Sequence, residues 1–231
     1  MRLHATTVRG LSAVALFALA GCSQGSAASS GPMSSPTVLV HPDGESALAL
    51  APLSSTALAK LLLDESDLGG DYTRMPQRAA AHDDVTVSCP ALEKLGGNAA
   101  TGTSLAFPRK AKASFAYAGG SNSELAEELY SDTAAKLSKG IGKIFDAMVS
   151  CPTYQVVSGN TVVTVGTQVT PAPDLGDEQW SQLLTYSIGG QRSVVKQTAI
   201  RIGNVLVLVS GAPGLVDANL EKALDKAEAA L

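Results

Sequence analysis

The stretch from Trp180 to Ser210 limits the fold of this chain more than any other part of the sequence. Three runs with a period of two residues are separated by the dipeptides Gly189-Gly190 and Gly203-Asn204. Links of this length and composition permit the positive backbone angles of tight hairpin turns. Strands joined by such turns are antiparallel neighbours. We therefore predict a three-stranded meander formed by Trp180–Ile188, Arg192–Ile202 and Val205–Ser210.

Other runs with a period of two extend the predicted sheet. Tyr154–Val157 and Thr161–Val169 flank a Ser-Gly-Asn turn, and Ala113–Ala118 alternates large and small side chains. The residues that follow Ala118 are ambiguous, because 119–122 favours a hairpin turn whereas Ser121–Glu124 is also typical of a helix cap. We favour a hairpin, with a strand over 122–130, because a better helix cap follows at Ser131-Asp132.

Apolar residues at helical spacing predict a central amphipathic helix that leads to Cys151. Its apolar face is formed by Leu137, Ile141, Ile144, Phe145 and Met148, and lysines lie on the opposite side. Further helices are predicted over Leu53–Leu63, as a short turn in Ser88–Leu95, and over Leu215–Leu231. Helices before, between and after adjoining strands indicate an α+β domain, in which an antiparallel sheet packs against a central helix and terminal helices.

The first 21 residues have the organisation of an export signal. Arg2 and Arg9 precede an apolar stretch, Leu11–Ala20, that is about half as long as a membrane-spanning helix. This stretch ends in Leu19-Ala20-Gly21-Cys22, which resembles the lipobox of bacterial lipoproteins. We predict a lipoprotein signal peptide over 1–21 and a thioether-linked diacylglycerol on Cys22. An ordinary secretory signal that happens to precede a cysteine is the alternative.

Residues 22–52 are predicted to be a flexible tether. Ser23–Pro36 consists mostly of Ser, Gly and Pro and has no charge, so it has little apolar surface to offset the entropy of ordering. Pairing of Thr37–Val40 as an edge strand is an alternative. The apolar run Val205–Val209 is too short to span a bilayer. We therefore expect the lipid on Cys22 to hold the domain, 53–231, at the outer face of the cytoplasmic membrane.

The cysteines predict one disulfide. Once Cys22 is lipidated, Cys89 and Cys151 remain, and two cysteines in an exported domain have a single intramolecular pairing. We therefore predict a Cys89–Cys151 bridge. A catalytic thiol is less favoured, because it would need an unpaired cysteine beside a base.

Charge and histidine content argue against two functional classes. Without Arg2 and Arg9 the chain carries 15 basic and 21 acidic residues, which does not suit a nucleic-acid-binding protein. Of the histidines, His41 lies in the predicted tether and His82 stands beside Asp83-Asp84, in a context typical of an exposed loop. Histidine-dependent catalysis would rest on His82 alone, and the adjacent carboxylates lack the spacing of a calcium loop. We predict no enzyme, metal site or cofactor.

Four large aromatic residues are the candidate ligand contacts, namely Phe115, Tyr117, Trp180 and Tyr186. In a chain with 4% aromatic residues such side chains usually lie in the core or on a sheet face. In a cleft they would offer apolar contact area to a ligand. Arg192 and Arg201 flank the hairpin turns, where we expect them to be solvated and able to meet an anionic ligand.

Several stretches in order resemble a known family. They are Leu61–Tyr72, the Cys89-Pro90 segment, Ser114–Tyr117 with its Gly-Gly turn, the helix that ends in Cys151-Pro152, Leu175–Asp177 and Ile200–Val207. In combination they resemble the extracellular sensor domain of mycobacterial protein kinase H and small actinobacterial lipoproteins related to it. The resemblance covers roughly Leu53–Leu231. It implies an antiparallel sheet packed with helices around a cleft, and a role in binding an extracytoplasmic ligand.

The sequence therefore favours a non-catalytic, lipid-anchored binding or sensing module. Its expected ligand is a small molecule or an envelope component. The alternatives are a structural or protein-interaction component of the envelope and a lipid-carrier lipoprotein.

Overall fold

The computed structural model describes residues 51–77, 85–96, 107–119 and 123–229, all of which belong to one compact unit, Ser46–Leu231. The described part of the chain contains five helices and nine strands. The helices are α1 (Ser55–Leu61), α2 (Glu65–Leu68), α3 (Pro90–Glu93), α4 (Ala134–Ser150) and α5 (Pro213–Glu228). The strands are β1 (Tyr72–Arg74), β2 (Val85–Val87), β3 (Lys110–Tyr117), β4 (Ser123–Ser131), β5 (Thr153–Ser158), β6 (Thr161–Val169), β7 (Glu178–Ile188), β8 (Gln191–Ile202) and β9 (Val205–Gly211).

All nine strands form a single sheet with the order β1-β3-β4-β9-β8-β7-β6-β5-β2. Every neighbouring pair is antiparallel. Strands β5 to β9 form one meander, so the predicted β pair and three-stranded meander are parts of the same sheet. The prediction of an α+β domain with an antiparallel sheet is confirmed.

The position of α4 follows from this strand order. Strand β4 pairs with β9. The next strand along the chain, β5, is separated from β4 in the sheet by four strands, β9, β8, β7 and β6. The connection must therefore cross the strands, and α4 supplies it. We call the sheet face under α4 face B and the opposite face, which α1, α2 and α5 cover, face A.

Face A carries the larger hydrophobic core. Buried side chains from α1, the α1–α2 connector and α2 pack there with β3, β4, β8, β9 and α5. They include Leu58, Leu63, Phe115, Leu125, Leu129, Val207, Val209, Val216, Leu220 and Leu224. The two N-terminal helices are short, so this packing rather than intrinsic helix stability holds them in place.

Face B has two clusters along α4. Leu137, Ile141 and Phe145 contact Tyr130, Leu206 and Leu208. Ala147 and Met148 contact the β5–β7 end of the sheet and α3. The predicted disulfide is confirmed there: Cys89 and Cys151 are joined, with their Cα atoms 6.1 Å apart. The bridge ties the N-terminus of α3 to the C-terminus of α4.

Strand β9 is buried on both faces, since α5 covers one side and α4 the other. Its residues 205–209 are all buried, which accounts for the uninterrupted apolar run in the sequence. None of the helices in the described ranges is long and apolar enough to cross a bilayer.

Several local predictions were confirmed and others were wrong. The ambiguous stretch after residue 122 is strand β4, as favoured. The predicted helix cap at Ser131-Asp132 was wrong, because Ser131 ends β4 and Thr133 is the N-cap. The Ser131 hydroxyl instead donates to the Asn204 carbonyl at 2.7 Å and accepts from the Leu53 amide at 2.8 Å. Helix α2 and the three-residue strands β1 and β2 were not predicted.

Candidate functional site

The four aromatic residues predicted to contact a ligand lie on opposite faces of the sheet. Phe115 is fully buried on face A, and the Arg74 guanidinium lies 5.8 Å from its ring centre. Tyr117 is half-buried on the same face, with its ring centre 4.9 Å from that of Tyr72. Trp180 and Tyr186 are half-buried on face B of β7. The four side chains therefore do not form one site.

Trp180 and Tyr186 are six residues apart on β7, with two residues of the same face, Gln182 and Leu184, between them. The Trp180 ring centre lies 6.4 Å from that of Phe145 on α4. Tyr186 packs with the cluster at the other end of α4, and burial raises its pKa to about 12. Between them on the same face lies Gln182, which is fully buried.

Gln182 belongs to a row of small and polar side chains that crosses five central strands on face B. The residues face one another in register from β3 to β7: Ser114, Ala126, Ser210, Gln197 and Gln182. We call them the polar row. Gln182 and Gln197 are 0% and 5% exposed, Ala126 is buried, and the two serines are half-buried. Apolar side chains are usual at such covered positions.

The two glutamines are joined under α4. The Gln182 Nε2 donates to Gln197 Oε1 at 3.0 Å and contacts the Met148 sulfur at 2.9 Å. The Gln182 Oε1 is buried, and no residue in the described part of the chain forms a hydrogen bond with it. Leaving such an acceptor unsatisfied costs about 1–3 kcal/mol. The polar row thus contains an acceptor that a ligand donor could satisfy.

The neighbouring row on face B contains an ion pair at one end and the predicted tryptophan at the other. It runs through Lys112, Glu128, Leu208, Ala199 and Trp180. Glu128 is 3% exposed, its Oε1 accepts from the Lys112 ammonium at 2.7 Å, and the Tyr130 hydroxyl donates to its Oε2. Polar and apolar side chains are therefore adjacent along this part of face B.

The arginine expected to be solvated beside the β8–β9 turn is buried. The Arg201 guanidinium donates to Asp177 at 2.8 Å and to Glu178 at 2.9 Å. Hydrogen bonds from Ser138 and from Arg201 lower the pKa of Glu178. The expectation for Arg201 was wrong, because Glu178 lies opposite it in the β7–β8 register and Asp177 immediately precedes β7, so both carboxylates reach the guanidinium. Arg192 is exposed, as expected.

Sequence reasoning missed the polar row and the carboxylates beside it. Alternation in β8 identifies two sets of side chains but not which set a helix covers, so Gln197 would be expected to face solvent. The stretch that forms β4 was itself ambiguous between strand and helix. The only available signal was the number of polar residues in strands that must lie at the centre of the sheet.

Other predicted site residues lie outside the described residues, namely Cys22, His41 and His82. Within the described ranges, no group of three or more His, Cys, Asp or Glu residues is arranged to hold a metal ion.

Comparisons with known proteins bear on the fold. No protein-family model matches the chain, and no curated protein does. The extracellular domain of PknH from Mycobacterium tuberculosis is similar, with a TM-score of 0.57 and 15% identity over 76% of this chain and 96% of that domain. An uncharacterized protein from Mycobacterium smegmatis, an Rv0999 ortholog, matches with a TM-score of 0.36 and 14% identity over 68% of this chain and 82% of that one. The first likeness confirms the fold that the sequence resemblance implied.

Proposed function

We propose that this chain is a non-catalytic extracytoplasmic lipoprotein whose domain binds a ligand at the polar row. Two independent features support the location. The fold is similar to that of the extracellular domain of PknH, and the first 21 residues have the organisation of an export signal, followed by Cys22 in a sequence that resembles a lipobox. In this proposal acyl chains on Cys22 are the membrane attachment.

The observation that carries the binding proposal is the polar row itself. Five adjacent strands place small or uncharged polar residues at one level of face B, where α4 covers part of the sheet. Buried polar groups lower stability unless they are paired, and Gln182 Oε1 is unpaired within the ranges that the structure describes. A binding role gives a reason for retaining a glutamine at a position where an apolar side chain would be more stable.

The side chains indicate what kind of ligand would fit. The row offers amide and hydroxyl groups, and the one charged pair beside it, Lys112–Glu128, is neutralised internally. In the next row Trp180, which is only partly buried, supplies apolar surface, and Leu208 beside it is packed in the core. Five strands at about 4.8 Å spacing extend over roughly 19 Å. An uncharged ligand with hydrogen-bonding groups and apolar portions, such as a glycan, a peptide or a lipid head region, matches these properties.

Native mass spectrometry of the full-length protein, purified from a mycobacterial expression host, tests the proposal. We expect a retained small molecule or lipid on the wild type and its loss from the double variant Gln182→Leu/Gln197→Leu. The variant Gln168→Leu, which alters an exposed glutamine on face A of β6, is the matched control and should retain the ligand.

Absence of any retained molecule, together with flat thermal-shift responses to envelope lipids and muropeptides, would contradict ligand binding. A protein-interaction role would then be favoured. The part of face A on β6 and β8 offers a surface for it, since Val162 and Val194 are 48% and 45% exposed there.

A further inference from the structure

Glu127 is a carboxylic acid in the core of face A. It lies on β4 between Leu125 and Leu129 and is 0% exposed. Its neighbours across the sheet are Ala113 and Val209, neither of which can donate a side-chain hydrogen bond. The Oε2 accepts a hydrogen bond from the Leu63 amide at 2.6 Å, and the buried Oε1 has no hydrogen-bond partner among the described residues.

The donor of that hydrogen bond belongs to the connector between α1 and α2. Both helices are short, with seven and four residues, and helices of this length are not stable by themselves. Leu58 and Leu63 are fully buried against face A. The hydrogen bond from Leu63 to Glu127 therefore joins this N-terminal segment to a central strand.

Charged groups reach Glu127 from three elements. Lys226 of α5 and Arg74 of β1 favour its ionised form, and Asp67 of α2 opposes it. Lys226 is already engaged, since its ammonium contacts Asp64 at 2.8 Å and also pairs with Asp67. The strands on either side of β4 face Glu127 with apolar residues. No cation in the described part of the chain pairs directly with the Glu127 carboxyl.

We propose that Glu127 is a proton-operated latch, whose neutral carboxyl holds residues 53–68 on face A and whose loss of a proton to solvent loosens that segment. A buried carboxylate needs solvent or a cation, so ionisation favours states in which the α1–α2 connector moves away and water enters. Burial raises the pKa of Glu127 to about 8, although the hydrogen bond from Leu63 by itself lowers it. Loss of the proton thus loosens the segment through burial of charge and not through loss of this acceptor. The switch therefore operates within the neutral to mildly alkaline range.

Hydrogen–deuterium exchange of the full-length protein tests the latch. Labelling times are matched for intrinsic exchange at about pH 6 and about pH 9, and peptides from 53–68 are compared with peptides from β9. In the wild type we expect protection of 53–68 to fall about tenfold more than that of β9 at the higher pH. Glu127→Gln cannot lose a proton and should show no such local loss. Glu124→Gln, an exposed position on the same strand, should behave as the wild type.

Two further measurements test whether the Glu127 proton itself controls the segment. Lys226→Met removes a cation that favours the ionised form, so the loss of protection should move to higher pH; a shift to lower pH would contradict the proposal. In the wild type, the Leu63 amide chemical shift should titrate with the Glu127 carboxyl. A Leu63 shift that stays flat through this range, or a Glu127→Gln variant with the wild-type pH profile, would overturn the latch.

Discussion

Glu127 and Glu128 are consecutive residues of β4, and their buried carboxyl groups lie on opposite faces of the same sheet. Glu127 accepts from the Leu63 amide on face A, whereas Glu128 pairs with Lys112 and Tyr130 on face B. One strand thus contributes to the attachment of the N-terminal helices and to the row of side chains next to the polar row. The two carboxyl groups differ in one respect that decides their chemistry: among the described residues, Glu128 has a cation as a direct partner and Glu127 does not.

The free energy of unfolding should depend on pH because the Glu127 carboxyl is buried without a directly paired cation in the described part of the chain. The folded state holds the Glu127 proton up to about pH 8, and the unfolded chain releases it near the ordinary glutamate pKa of 4.5. The stability that Glu127 gains from its raised pKa is complete below the pKa of the unfolded chain. It is lost as the pH rises through the pKa of the folded state, by at most about 1.4 kcal/mol per pH unit. Urea unfolding of wild type and Glu127→Gln should therefore diverge between these values, with the variant losing less stability. Parallel curves would contradict the buried neutral acid, and Glu124→Gln is the control.

The buried pair Gln182 and Gln197 should make the domain less stable than leucine at the same two positions would. Replacing both Gln182 and Gln197 by leucine removes the unsatisfied Gln182 Oε1 and both members of the hydrogen bond between the two side chains. Replacing both partners of a buried polar pair by apolar groups is nearly neutral or stabilising. We expect the free energy of unfolding to rise by about 1 kcal/mol, measured by urea titration. Gln168→Leu, at an exposed position, should change it by less than about 0.5 kcal/mol. A large loss of stability in the double variant would mean that the pair is a structural element instead of a binding one.

Arg201, through its ion pairs, should contribute more to the free energy of unfolding than Arg192, an exposed arginine on the same strand. The Arg201 side chain is 11% exposed, while Asp177 and Glu178 are 50% and 35% exposed. Because water reaches both carboxylates, we expect Arg201→Met to lower stability by about 2 kcal/mol, less than the loss typical of a fully buried pair. Arg192→Met should change it by less than about 0.5 kcal/mol. Equal effects in thermal unfolding would show that the Arg201 network contributes nothing specific.

The disulfide should stabilise the domain chiefly by restricting the unfolded chain. Cys89 and Cys151 are 62 residues apart in sequence, a separation for which the loss of chain entropy corresponds to roughly 4 kcal/mol. The double variant Cys89→Ala/Cys151→Ala should therefore unfold at lower urea concentration, and exchange protection of α3 should fall more than that of β9. Unchanged unfolding would argue against a stabilising bridge.

Membrane attachment should depend on one side chain. Cys22→Ser removes the thiol to which diacylglycerol would be joined, so we expect the protein to leave the membrane fraction when cells are fractionated. The Cys89→Ala/Cys151→Ala variant, which keeps Cys22, is the control and should stay with the membranes. Full retention of Cys22→Ser in the membrane fraction would refute the acyl anchor.

Much of the fold could be predicted because its signals are local. The dipeptides Gly189-Gly190 and Gly203-Asn204 form turns that fix neighbouring strands, and the spacing of Leu137, Ile141 and Phe145 defines the buried side of α4. The disulfide followed from the number of cysteines. By contrast, β1 and β2 have only three residues each, too few for a period of two to be recognised.

The candidate site depends on distant parts of the chain. The sequence determined that β7 and β8 are strands, because alternation and turn chemistry act between near neighbours, but it left β4 ambiguous between strand and helix. Only the tertiary structure decided which alternate residues are buried. Strand β4 pairs with β9, so α4 has to cross the sheet to reach β5, and this crossing places Gln182 beneath Met148. The same pairing sets Glu127 against Leu63, 64 residues earlier in the chain. Contacts at that separation arise from the packing of whole elements, which local sequence pattern does not encode.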